Sequence, residues 1–104
     1  MSNQDQDLLL RQLADTFINV ANDHAETQDN NIVNTAFMYA AARFCAFVAA
    51  SRALSLNDFQ EKQLQGIEFF TTEFKQMLES NMRNYEKQFQ PTEQLPYAKY
   101  MKKH

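Results

Sequence analysis

The 104-residue sequence predicts an all-α fold of three antiparallel helices in an up-down arrangement, from three observations. There is one glycine, Gly66, and both prolines, Pro91 and Pro96, fall after Phe89, so few breakers interrupt the chain before that point. Apolar residues recur at steps of three and four, the period of a helix with one buried face. Two short polar clusters, ETQDNN at 26–31 and SLND at 55–58, divide this pattern into three stretches.

The first helix is expected over about 5–25, where Leu10, Leu13, Phe17, Val20 and His24 line one face and Ala14, Ala21 and Ala25 fill it in. The cluster ETQDNN supplies side chains that satisfy free backbone N–H groups at a helix start, so 26–31 reads as a turn ending in a cap. The second helix follows over about 31–54. Asp58 and Glu61 then have capping-box spacing, and the third helix is expected over about 58–89. Its stripe runs through Phe59, Gln63, Ile67, Phe70, Phe74, Met77, Leu78, Met82, Tyr85 and Phe89. The tail, 90–104, cannot prolong that helix because of its prolines. Its Leu95, Tyr97, Tyr100 and Met101 predict that it docks on another surface.

The second helix has two apolar faces. At about 100° per residue, Val33, Phe37, Ala40, Phe44, Phe47 and Val48 fall on one side, while Ala42, Ala46, Ala49, Ala50 and Ala53 gather on another. Between these faces stands a single cation, Arg43, inside the run FMYAAARFCAFVAAS. If the second and third helices pack antiparallel across their short link, Ala46 lies level with Gly66, and Arg43 near Glu73. An arginine removed from water requires a carboxylate, because an unpaired buried charge costs several kcal/mol. Tyr39, Arg43 and Glu73 are therefore the candidate site, as a structural ion pair or as a seat for an anion.

Composition narrows the functional classes. The formal charge is −3, and the basic residues are scattered apart from Lys99, Lys102 and Lys103, so no basic stripe points to nucleic acid. One cysteine, Cys45, forms no internal disulfide, and the start MSNQDQD lacks the features of a secretory signal, which points to the cytoplasm. The apolar run around Arg43 is shorter than the ~20 residues of a bilayer crossing, so no membrane role is expected. Neither His24 nor His104 follows a glutamate by three positions, as a di-iron bundle requires, and His24 reads as a packed residue rather than a metal ligand. One glycine rules out phosphate-cradling loops, and Cys45 has no histidine at helical neighbour spacing. No catalytic residue, metal or cofactor is expected.

The phrases FINVAND, YAAARFCAFVAAS and FFTTEFKQMLESNMRNYEKQF together resemble a bacterial family of short helical proteins catalogued only as a domain of unknown function, over Phe17 to Phe89. The resemblance implies an all-helical cytoplasmic protein and brings no activity or site. The residues favour a non-enzymatic, self-associating binding or scaffolding protein. The alternative is a binder of amphipathic anions using Tyr39, Arg43 and Glu73. A homodimer is expected because a third helix of about thirty residues is roughly 45 Å long, whereas a compact chain of this size is only about 34 Å across.

Overall fold

The structure, a computed structural model, describes residues 2–89. Those residues form three α-helices without strands: α1, Asn3–Ala25; α2, Asn30–Arg52; and α3, Leu56–Gln88. The all-α, three-helix class read from the sequence is the observed one. The expectation that 90–104 docks falls outside the described residues.

Local chemistry sets each helix end. Ser2 caps α1, its Oγ accepting from the Asp5 amide at 3.1 Å, so the helix starts at Asn3, ahead of the expected residue 5. At the other end the His24 carbonyl accepts from the amides of Thr27 and Gln28, at 3.2 and 2.9 Å, which closes the turn. Asp29 Oδ1 accepts from the Asn31 amide at 2.7 Å and opens α2. The second junction differs from the expected one. Ser55 Oγ accepts from the Asp58 amide at 3.1 Å, while Asp58 Oδ2 accepts from the Leu54 amide at 2.9 Å. Asp58 is thus the inner member of a reciprocal cap begun by Ser55, not the outer member of a cap closed by Glu61. Asn57 Nδ2 donates to Glu61 Oε1 at 3.3 Å instead. With Ser55 as cap, α3 begins at Leu56 and α2 closes at Arg52.

The chain divides into two compact units, Met1–Arg52, which holds α1 and α2, and Ala53–His104, which holds α3. In the first unit the short turn returns α2 against α1 as a helical hairpin. Ala21, Ala25 and Val33 beside the turn are half-buried, and small side chains there let the two backbones approach. Two helices meet along one seam, so each keeps most of its circumference in solvent. No described residue is buried, and in this unit Leu10, Phe17, Phe44 and Phe47 are 63%, 61%, 65% and 62% exposed.

Candidate functional site

The hairpin encloses an open, mostly apolar cleft of about 460 Å³. On α1 its wall is Phe17, Val20 and Ala21; on α2 it is Ile32, Ala36 and Phe37. His24 and Gln28 also line it and supply its polar groups next to the turn. The stripe read on α1 ends at His24, and the aromatic side of α2 begins at Val33, next to Ile32. Because a turn of few residues joins them, the two stripes converge and their last members form the cleft. Phe37 is 36% exposed, against 61% for Phe17 and 62% for Ile32 in the same cleft. His24, read from sequence as a packed helix-end residue, is exposed along this cleft.

The three residues singled out from the sequence are distributed differently. Tyr39 and Arg43 stand one turn apart on α2, Tyr39 69% exposed and Arg43 also exposed, and neither lines the cleft. Glu73 is exposed on α3, in the other unit. Arg43 interrupts an apolar run and is exposed, and it is not among the residues that line the cleft of its own unit. Near α2's aromatic side, the Phe44 and Phe47 rings lie 5.8 Å apart and tilted by 40°. Gly66 on α3 has open space around it, since an added Cβ would meet nothing within 4 Å.

Electrostatics in the described residues are local to single helices. Arg11 pairs with Asp7 at 3.4 Å and Lys62 with Asp58 at 3.0 Å, both across one helical turn. The Leu54 amide, and then the hydrogen bond and charge of Lys62, hold the Asp58 carboxyl below the usual carboxylate range. No group of three or more His, Cys, Asp or Glu able to hold a metal occurs among the described residues. Asn30–Arg52 is long and apolar enough to cross a membrane by length and composition, and among the described residues it is the one such helix.

Residues 10–86 match the family described as Protein of unknown function (DUF3144). The match spans most of the chain, which belongs to that family. No curated protein and no solved structure matches it.

Proposed function

We propose that this member of the DUF3144 family is a self-associating helical protein, which builds its core between copies and serves as a binding or scaffolding element. One observation carries the reading: the apolar side chains that pattern all three helices stay accessible, from Leu10 at 63% on α1 to Met82 at 63% on α3. Contiguous apolar patches beyond a few hundred Å² are uncommon on soluble monomers and mark contact surfaces. A two-fold assembly covers the same patch on both chains at once. Native mass spectrometry tests the reading, with the expected species at twice the 12.2 kDa chain mass. A lone 12.2 kDa species would reject it.

The cytoplasm is the compartment that fits. Used as a membrane span, α2 would carry Arg43 near the middle of the bilayer, at a cost of about 2.5 kcal/mol or more. The scattered basic residues and net charge of −3 favour a protein over a nucleic-acid partner.

A second reading, binding of a small apolar molecule, is favoured by the α1–α2 cleft. Its volume of about 460 Å³ falls within the range of small-molecule sites. His24 and Gln28 would hold the ligand's polar end beside the turn. This differs from the anion seat expected at Tyr39, Arg43 and Glu73, since Tyr39 and Arg43 lie outside the lining and Glu73 belongs to the other unit. A non-covalent adduct retained in the same mass spectrum, and lost in Phe37→Asp, would support ligand binding over self-association alone.

A further inference from the structure

We infer that α3 is a dimerisation element that pairs antiparallel with α3 of a second copy, about a two-fold axis at Phe74. This rests on the reading of the chain as self-associating and names the surface that does it. The argument starts from the order of side chains along the helix. Taking Phe74 as centre, Phe70 and Leu78 lie four residues to either side, Gln63 and Tyr85 eleven, and Phe59 and Phe89 fifteen. At about 100° per residue all of these project within about 60° of the direction of Phe74. At four and fifteen residues from the centre the stripe reads apolar in both directions, whereas Ile67 is matched by Asn81 and Met77 by Thr71. An antiparallel two-fold axis sets the residue ahead of the centre against its counterpart behind it. Phe59 meets Phe89 of the second copy, Phe70 meets Leu78, and Phe74 meets itself.

The polar members of this seam are accommodated. Gln63 faces the Tyr85 hydroxyl across it, a donor and an acceptor on each side. Asn81 already donates to the Met77 carbonyl at 2.8 Å within its own helix.

Area and charge point the same way. Ile67, Phe74, Met77, Leu78, Met82, Tyr85 and Phe89 are between 43% and 63% exposed on α3. At about 100 Å² of accessible surface for each such side chain, roughly half of what a large one buries, they offer about 700 Å² per copy. Each partner in a stable interface contributes about 800 Å². Ahead of the centre α3 carries Asp58, Glu61, Glu68 and Glu73 against Lys62; from Lys75 onward it carries Lys75, Arg83 and Lys87 against Glu79 and Glu86. Antiparallel pairing lays the acidic half over the basic half and opposes the helix dipoles, whereas parallel pairing stacks like on like. Near the axis Glu73 approaches Glu73, and on the opposite flank Lys75 approaches Lys75. Both are exposed repulsions that salt screens.

Disulfide trapping in the full chain, with Cys45→Ser as background, tests the orientation. Phe74→Cys should form a cross-linked dimer with itself on mild oxidation. Phe59→Cys should cross-link only when mixed with Phe89→Cys. Self-cross-linking of Phe59→Cys as efficient as that of Phe74→Cys would establish parallel pairing and overturn the inference. Because these changes alter the seam, a second measurement uses outward positions. Spin labels at Gln65→Cys and Gln76→Cys should give a longer inter-copy distance at 65 than at 76 if the helices are antiparallel; equal distances contradict this. A dimer by mass whose α3 labels stay out of range overturns the α3 inference and leaves self-association standing, whereas a monomer by mass removes both.

Discussion

Replacing Phe74 by alanine separates a chain that pairs through α3 from one that leaves it in water. Phe74 is 53% exposed. A large aromatic side chain buries about 150–250 Å², so roughly 100 Å² remains for a partner to cover. At about 25 cal/mol per Å² this is roughly 2.5 kcal/mol per chain, and about 5 kcal/mol per dimer because the two-fold axis duplicates the change. At 1.4 kcal/mol per tenfold, Kd should weaken by roughly three to four orders of magnitude. In an isolated helix the outcome is opposite in sign, since alanine exceeds phenylalanine in helix propensity by about half a kcal/mol. Sedimentation equilibrium of both proteins gives Kd, and circular dichroism gives helicity. Unchanged association, with helicity equal or higher, would refute the assignment of Phe74 to the seam.

Other expected outcomes concern local features of each unit. Gly66→Ala should raise the denaturation midpoint, by about 0.5–1 kcal/mol of stability, because the added methyl meets open space and alanine favours the helix. A drop in the midpoint would instead support the close Ala46 contact expected from sequence. Arg43→Met should change stability by no more than about 0.5 kcal/mol, as for exposed positions without special contacts, and a loss of several times that in chemical denaturation would mean the guanidinium has a partner. Asp58 has a lowered folded pKa, so its contribution is full above its unfolded pKa of about 3.9 and is lost as pH falls through the folded value. Asp58→Asn should therefore be less stable than the parent at neutral pH and approach it in strong acid; a difference that does not change with pH would contradict the role of the charge.

The helices were legible because their determinants are local. The steps of three and four in Leu10, Leu13, Phe17 and Val20, and the amide-capping side chains of Asp29 and Ser55, act within a turn or two of chain. The second cap is harder to read because Ser55, Asp58 and Glu61 are all spaced by three, and the hydroxyl nearest the end of α2 takes the outer role. The environment of Arg43 was less legible. Periodicity tells which residues share a face of α2, but what lies opposite that face depends on residues distant in sequence. The cleft carried a signal that was available: the stripes of α1 and α2 both end at the turn, which places Val20, His24, Ile32 and Phe37 at one point. His24 was read as a packed residue at a helix end, and its part in a polar end to an apolar cleft followed only once Gln28 and α2 were in place.

The most direct test of self-association is sedimentation equilibrium of the full chain across a wide micromolar range, with helicity followed on the same samples. Self-association predicts an average mass that climbs from 12.2 kDa toward twice that value as concentration rises, together with a thermal midpoint that rises with it. A fully helical chain that stays at 12.2 kDa with a midpoint independent of concentration would contradict it.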